Sequence, residues 1–512
     1  MRLNLRHRGK GSVSDRRDVV AVTVPFAAIV LAMLPAVLDQ TILATALPTI
    51  ATDLGTLSDV SWVVTAYVVA AAAATPLWGK LGDRHGRKRL LEASLAMFLG
   101  ASALCGLAQD LTTLVVARAV QGIAAGGLMA LAYAAVGDLV SPRERGRYQG
   151  YIAATFAVAT VVGPLIGGVL VQHASWRWVF YVNLPLGLLA LAGLKLRLPA
   201  AVTERPAHAL DVAGALLLAL ATSALMLTCI WGGNRYDWTS PTIVGLIAGF
   251  VVLSGALVLR ERRTADPIVP FELLRSRAVA ISSAALFLTT AALFSVTVFV
   301  PVFLQTATGA TPTQAGLLLV ATMVGVTLST NFAGRRIERT GRYKRFPVAG
   351  LALMTLALTG LGVLAAHPSQ VTTAIALAVF GLGFGMVGQV LIVAVQNGVD
   401  RRNLGIAMAA TNFFRALGGA VGAAILGAVF AAHTGAVGDT GTIALGSAAR
   451  GDVIAGVQTV FAIAALIALV ALIVVLWLKE VPLQSRGEQR TERAAPGSPP
   501  RSGQPAPAGA AR

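Results

Sequence analysis

The sequence is poor in charged residues and lacks the common nucleotide-binding and hydrolase motifs. Only 12% of its 512 residues are charged, about half the share of a typical soluble domain, while 56% are hydrophobic. A soluble core cannot bury this much apolar surface, so lipid is the expected solvent. No GxxxxGK[ST] loop is present to bind ATP, and no HExxH or GxSxG motif to hydrolyse a substrate. We therefore predict a membrane protein that is not an enzyme and uses no metal or cofactor.

Cysteine is also scarce, and basic residues outnumber acidic ones. Cys105 and Cys229 both lie inside apolar runs, which predicts small buried hydrophobic side chains. A net charge of +18 would suit a nucleic-acid partner, but the basic residues lie in short loops between apolar runs. In such loops they report membrane topology. We predict contact with a lipid bilayer and no nucleic-acid partner.

Fourteen apolar runs are long enough to span a bilayer, which takes about twenty residues each. The predicted fold is all-α: a polytopic membrane protein with two six-helix bundles and two inserted helices. Its parts are a cytoplasmic N-terminal tail (1–18), a first bundle (19–198), an inserted pair (199–270), a second bundle (271–480) and a disordered cytoplasmic tail (481–512).

The charges in the loops support this count. With the N-terminus in the cytoplasm, all but five of the 41 basic residues fall in cytoplasmic segments; the five are Arg118, Arg177, Arg235, Arg415 and Arg450. One missed helix would invert every later loop and destroy this bias. We predict a multi-pass plasma-membrane protein, a monomer, with both termini in the cytoplasm. The preference for arginine over lysine and the abundance of alanine indicate a bacterial source.

One polar loop occurs twice along the chain. Gly79–Arg89 and Gly334–Lys344 match at a constant offset, which pairs Gly79 with Gly334, Asp83 with Glu338, Arg84 with Arg339, Gly86 with Gly341 and Arg87 with Arg342. Such an echo indicates a duplicated chain. An inserted pair of helices keeps both loops on one face of the membrane. The halves are therefore parallel repeats, an arrangement that suits a transporter with its site between them.

Several motifs, taken in order, resemble those of one family. They are Leu38–Ile42 with Ala46–Pro48 in the first span, the loop Gly79–Arg89, Arg118–Gly122 in the fourth span, Gly163–Gly168 in the fifth and Trp176–Pro185 before the sixth. On these motifs the chain resembles the major facilitator superfamily, and within it the fourteen-helix drug:proton antiporters. One departure is Ala159, where the fifth-span motif usually has glycine. Because alanine is also small, close helix packing is kept, and only the degree to which the fifth helix bends is left open.

Two ionisable residues at membrane depth are candidate coupling residues. Asp39 is the one carboxylate well inside a predicted span, where such groups are costly and usually functional. A proton and a cationic substrate can compete for it; the alternative is a solvated Asp39 at the outer interface. Arg118 is a permanent charge in the fourth span. The resemblance implies that it biases proton occupancy of Asp39, with Gln121 on the same face, whereas the alternative is a structural arginine.

The fifth span contains a run of small residues with a proline, Gly163, Pro164, Gly167 and Gly168. Such a run permits close helix approach and a bend. The resemblance implies exporter-type gating here; plain helix packing is the alternative. The counterpart of this run in the second half contains Arg415, which reaches either a cavity or the inner surface.

The loop Gly79–Arg89 has the features of a latch. Asp83 can accept hydrogen bonds from the backbone at a nearby helix start, and Arg84, Arg87 and Lys88 can pair with acids such as Asp138. The resemblance implies a latch between the halves that is closed in the outward-open state. Topology-setting charge is the alternative, but it does not explain glycines at fixed spacing.

The function predicted is proton-coupled export of small amphipathic drugs or antibiotics. One acid in an apolar first span favours lipophilic cations over sugars. Sugars need many hydrogen-bonding side chains, and the candidates for a cavity are sparse: Gln40, Thr41, Thr65, Gln121, Asn331 and Gln389. The alternatives are a proton-coupled importer of a small nutrient on the same fold, and a membrane sensor or scaffold, which would need an ordered soluble domain.

Overall fold

The computed structural model of the protein describes residues 11–54, 57–198, 211–233, 235–264, 275–366, 369–400, 403–434, 450–480 and 483. Within them the chain forms helices and no β-strand, and fourteen helices are long and apolar enough to cross a membrane. The predicted all-α fold with fourteen spans is confirmed. The helices are α1 (Gly11–Leu54), α2 (Leu57–His85), α3 (Arg87–Leu107), α4 (Leu111–Leu139), α5 (Arg145–His173), α6 (Trp178–Arg197), α7 (Val212–Trp231), α8 (Pro241–Glu261), α9 (Arg277–Thr308), α10 (Pro312–Thr340), α11 (Arg345–Leu364), α12 (Gln370–Gly398), α13 (Leu404–Thr434) and α14 (Arg450–Leu476).

The segments predicted as tails and linkers are only partly covered by these ranges. Helix α1 begins at Gly11, inside the predicted N-terminal tail. Residues 1–10, 199–210 and 265–270, and the predicted disordered tail except Leu483, lie outside the described residues.

Local sequence signals set where several helices begin and turn. Asp110 caps α4 by accepting a hydrogen bond from the backbone N–H of Thr113 at 2.8 Å. Hydrogen bonds from the backbone N–H and the hydroxyl of Thr113 hold the pKa of the Asp110 carboxyl below its usual value. Gly86 separates α2 from α3 with a φ of 92°, and Gly341 ends α10 with a φ of 67°. Side chains disfavour such angles, so the glycines shared by the two copies of the loop are required by the turns.

The helices form two bundles with an inserted pair against their seam. Helices α9–α14 surround one large apolar core, and α1–α6 surround others that continue toward α12 and α13. The inserted helices α7 and α8 pack on each other, and α7 packs on α2 and α13. At that junction Met226 clusters with Ala72 and Leu417, and the ring of Trp231 lies edge-on to that of Trp62.

The halves meet along two helix pairs, α2 with α13 and α5 with α10. Both copies of the repeated loop, Gly79–Arg89 and Gly334–Lys344, lie at the same end of these pairs. We refer to it as the basic end. Because the helices alternate in direction, the last turns of α4 and α12 also lie there.

Candidate functional site

An ion pair is buried inside the first bundle. Arg118 in α4 donates from Nη1 to Asp39 Oδ2 in α1 at 2.5 Å, and the two side chains are 1% and 0% exposed. Neighbouring helices cover both groups. The alternative of a solvated Asp39 at the outer interface is therefore wrong.

Three more side chains complete this network. Gln121, one turn after Arg118, accepts from it at 2.6 Å and donates to Asp39 Oδ1 at 3.0 Å. Asn183 in α6 donates to the same Oδ1 at 3.1 Å. Ser102 in α3 accepts from the amides of Gln121 and Asn183 at 3.2 and 3.0 Å. The Asp39 carboxylate thus receives three hydrogen bonds from two other helices.

The guanidinium of Arg118 is satisfied without solvent. Its Nε donates to the carbonyl of Val63 at 3.2 Å, and its central carbon lies 4.2 Å from the ring centre of Tyr67 in α2. Removing one member of a buried pair leaves an uncompensated charge, which is strongly unfavourable. A proton on Asp39 would have the same effect on Arg118. The network can therefore couple one proton to a rearrangement of α1 against α4.

Sequence reasoning brought Asp39, Arg118 and Gln121 together but missed Asn183 and Ser102. Asn183 lies in the motif Trp176–Pro185, so a signal for it was present. Ser102 lies in an apolar run that carries no motif. Of the residues expected to line a cavity, Thr65 and Gln121 are buried, whereas Gln40 is exposed.

At the basic end, Asp83 crosses from the first half to the second. Its Oδ1 accepts from the N–H of Gly405 at 2.8 Å and its Oδ2 from the N–H of Ile406 at 2.9 Å. Both donors lie in the first turn of α13, where the helix dipole favours an anion. Arg87 also donates to Asp83, at 2.7 Å, and the carboxylate side chain is 2% exposed. The structure therefore places Asp83 on a helix start, as expected, and that helix belongs to the other half.

Two further contacts of this loop lie within the first half. Arg87 also forms an ion pair with Asp138 at the end of α4. Lys88 donates to the carbonyl of Leu198 at 2.5 Å, which ties α3 to the end of α6. In the described part of the chain, the Nη1 of Arg84 is buried without a hydrogen-bond partner.

A second crossing at the basic end was not predicted. Arg145 at the start of α5 donates to the carbonyls of Gln396 in α12, at 2.6 Å, and Gly137 in α4, at 2.5 Å. The amide of Gln396 in turn donates to the carbonyl of Tyr133 at 2.9 Å. These acceptors are backbone oxygens, which leave no pattern in the sequence.

The second copy of the loop makes a looser connection to the opposite half. Glu338 accepts from Arg147 in α5 at 3.2 Å, and the two side chains are 29% and 34% exposed. Arg339 and Arg342 are exposed.

Glycines mark the closest approach of the helices across both seams. A Cβ added to Gly79 would lie 2.7 Å from the carbonyl oxygen of Gly405. A Cβ added to Gly334 would overlap the backbone of Gly146. Both repeated glycines at the loop start therefore allow the halves to touch.

The fifth-span motif divides into packed and unpacked residues. Gly163 and Gly167 seat α5 on α1, because a Cβ at either position would overlap Thr41 or Thr45 respectively. Gly168, in contrast, has open space where its Cβ would be. Pro164 is exposed. Only two of the four residues thus form the close helix contact.

In the second half, Gly418 and Gly422 seat α13 on α9 against Phe287 and Ala291. Arg415 is one turn earlier and half-buried. It lies eleven residues after Leu404, about 16 Å into the helix at 1.5 Å per residue. Arg415 therefore lies at membrane depth and not at the inner surface.

The family model of the Major Facilitator Superfamily, which describes sequences, matches residues 29–423 of the chain. The chain belongs to the major facilitator superfamily. An uncharacterized MFS-type transporter of Mycobacterium tuberculosis (strain ATCC 25618 / H37Rv) is 39% identical over 415 residues, which are 81% of this chain and 60% of that relative's length. The multidrug transporter protein MdtP of Bacillus subtilis (strain 168) is 32% identical over 407 residues, 80% of this chain and 75% of that protein.

A solved structure of a major facilitator superfamily protein shows the same fold. The proton:xylose symporter XylE, bound to 6-bromo-6-deoxy-D-glucose, aligns with a TM-score of 0.66 and 14% identity. The alignment covers 93% of this chain and 99% of the other. This superfamily member thus has the fold of a multi-pass membrane protein, with two related halves and an inserted helix pair.

Proposed function

We propose that this major facilitator superfamily member is a proton-coupled exporter of small amphipathic drugs or antibiotics that works by alternating access. The observation that carries the proposal is the ion pair of Asp39 and Arg118, buried in the membrane-spanning part of the first bundle. The relative MdtP is named a multidrug transporter, which supports the substrate class. The protein acts as a monomer in a bacterial plasma membrane, with the basic end and both termini in the cytoplasm.

The proposed cycle begins from the arrangement seen here, in which the halves are joined at the basic end. A proton from the outside neutralises Asp39 and removes the counter-charge of Arg118. Helices α1 and α4 then shift, and the crossings made by Asp83 and Arg145 open. Substrate enters from the cytoplasm while the proton leaves Asp39 to the cytoplasm, and the re-formed ion pair then restores the closed basic end, from which substrate is released outside.

In this proposal Asp39 binds a proton and not a bulky cation. Its carboxylate is 0% exposed and holds hydrogen bonds from Arg118, Gln121 and Asn183. A drug-sized cation has no path to it in this arrangement. The preference for lipophilic cations that an accessible Asp39 would support is therefore not part of the proposal.

The test is dye transport in proteoliposomes with an imposed pH gradient, with 8-anilinonaphthalene-1-sulfonate as the amphipathic probe. Asp39→Asn removes the carboxylate that takes up the proton, so gradient-driven transport is expected to fall at least about tenfold, whereas dye exchange without a gradient is expected to continue. Asp237→Asn is the matched control, because Asp237 is exposed between α7 and α8. Full gradient-driven transport by Asp39→Asn would sink the proposal, and dye uptake into cells would favour the importer.

A further inference from the structure

Arg415 is a cation at membrane depth in the second half. Among the described residues it forms no hydrogen bond, ion pair or ring contact, and it is half-buried rather than sealed. Arg118, the other mid-span arginine, is satisfied by hydrogen bonds to Asp39, Gln121 and Val63 and by the ring of Tyr67. Since guanidinium stays charged in proteins, Arg415 carries an unmatched positive charge within the membrane.

The packing of α13 shows which way Arg415 faces. Leu417 clusters with Met226 of the inserted helix α7 and with Ala72 of α2. Residues two apart on an α-helix lie about 200° apart around its axis. Arg415 therefore points away from the inserted pair. Since Gly418 faces α9 and Gly405 faces α2, the arginine lies between these two contacts, on the side that faces the space between the halves.

Asn412 lies three residues before Arg415 and shares its side of the helix. Its side chain is buried, with 7% of the residue exposed, yet neither its amide nitrogen nor its amide oxygen has a hydrogen-bond partner in the described part of the protein. An unpaired buried amide is costly, and native structures contain few of them. Two adjacent side chains on one face thus lack the partners that their chemistry requires.

We propose that Arg415 and Asn412 bind the anionic group of an amphipathic organic substrate, such as a carboxylate or sulfonate. The guanidinium offers paired donors that match a planar or tetrahedral oxyanion, and the amide of Asn412 adds a donor beside it. The acid that would attract a cation, Asp39, is enclosed by Arg118. The charge available between the halves is therefore positive. This site rests on the proposed transport function and gives its substrate class: amphipathic anions.

The experiment compares two dyes that share a ring system. 8-Anilinonaphthalene-1-sulfonate (ANS) carries a sulfonate, and N-phenyl-1-naphthylamine does not. Their binding is measured by fluorescence on the purified full-length protein in phosphatidylcholine nanodiscs, with empty nanodiscs subtracted. Arg415→Gln is expected to weaken ANS binding about tenfold or more, as for a lost hydrogen bond to a charged group, and to change binding of the neutral dye less than about twofold, since its apolar contacts are kept.

Matched variants separate the site from general damage. Arg415→Lys keeps the charge but not the paired donors, so it should bind ANS more tightly than Arg415→Gln and less tightly than the unchanged protein. Asn412→Leu should weaken the binding of ANS and not that of the neutral dye. Arg263→Gln removes an exposed arginine after α8 and should change nothing. If Arg415→Gln weakened the binding of both dyes equally, or left ANS binding unchanged, the proposed site would be wrong. Displacement of ANS when phosphatidylglycerol is included in the nanodiscs would show that the Arg415 site binds a lipid headgroup, and it would overturn the proposal that the site binds a substrate.

This equilibrium assay needs no proton gradient, so its outcome is separate from that of the transport proposal. Arginine-dependent ANS binding together with transport that ignores the pH gradient would leave the site standing and reject proton coupling. Gradient-driven transport with Arg415-independent ANS binding would do the reverse.

Discussion

The two copies of the repeated loop have the same residue pattern but different surroundings. Asp83 in the first copy is buried and caps α13 of the opposite half. Glu338 in the second copy is partly exposed and pairs with the side chain of Arg147. Duplication kept the glycines, which the turns and the close helix contacts require. It did not keep the electrostatic role of the acid.

The second copy is anchored instead by its own half. Glu480, which follows α14, accepts hydrogen bonds from the N–H groups of Tyr343 at 2.5 Å and Lys344 at 3.0 Å. The N–H of Leu483 donates to the carbonyl of Gly341 at 3.0 Å. The first loop thus joins the two halves through a buried charge, whereas the second is fixed to the segment that follows α14 and contacts the other half through a partly exposed pair. The two connections across the basic end are therefore asymmetric.

Asp83→Asn should break this asymmetry with the largest effect of the loop substitutions. The change removes a buried charge that accepts from the first turn of α13 and from Arg87. Hydrogen bonds to charged groups contribute about 1.5–3 kcal/mol, so the balance between closed and open basic ends should shift about tenfold to a hundredfold. Distances between spin labels at the exposed positions Arg89 and Arg336 measure this opening. Unchanged distances would show that Asp83 does not hold the halves together.

Gly86→Ala and Gly341→Ala should both destabilise the protein, the first more than the second. Gly341 has φ 67° and ψ 3°, close to the left-handed region, where a non-glycine residue costs about 1–2 kcal/mol. Gly86 has φ 92° and ψ 126°, well outside that region, so alanine should cost up to about 3 kcal/mol. Thermal unfolding of the purified variants gives the order. Equal Tm values would mean that the two turns are equivalent.

Glu338→Gln should have the smallest effect. Its pair with Arg147 is about one-third exposed on both sides, and such pairs contribute about 0.2–1 kcal/mol. The opening of the basic end should therefore change less than about fivefold, and less again at high salt. The same spin-label distances provide the measurement. An effect as large as that of Asp83→Asn would show that Asp83 and Glu338 contribute equally to joining the halves.

Much of the fold could be predicted because membranes constrain sequences strongly. Spans of about twenty apolar residues, basic loops and a constant repeat offset each left a pattern. At the candidate site, Asp39 and Arg118 stood out because charges are rare at membrane depth. Ser102 did not, because a serine in an apolar run has many ordinary roles. Gln396 was missed for a different reason, since its crossing uses backbone carbonyls of any residue type.

The sequence by itself determined the fourteen spans, the two parallel halves and the residues whose chemistry is unusual in lipid. Hydropathy, charge and glycine act locally, so they can be read along the chain. Only the tertiary structure decided that Asp39 is sealed by Arg118, that Asp83 contacts the opposite half while Glu338 does not take the same role, and that Arg415 faces inward with no partner among the described residues. Those facts depend on which helices lie side by side, and sequence spacing does not specify the side-chain atoms that meet across them.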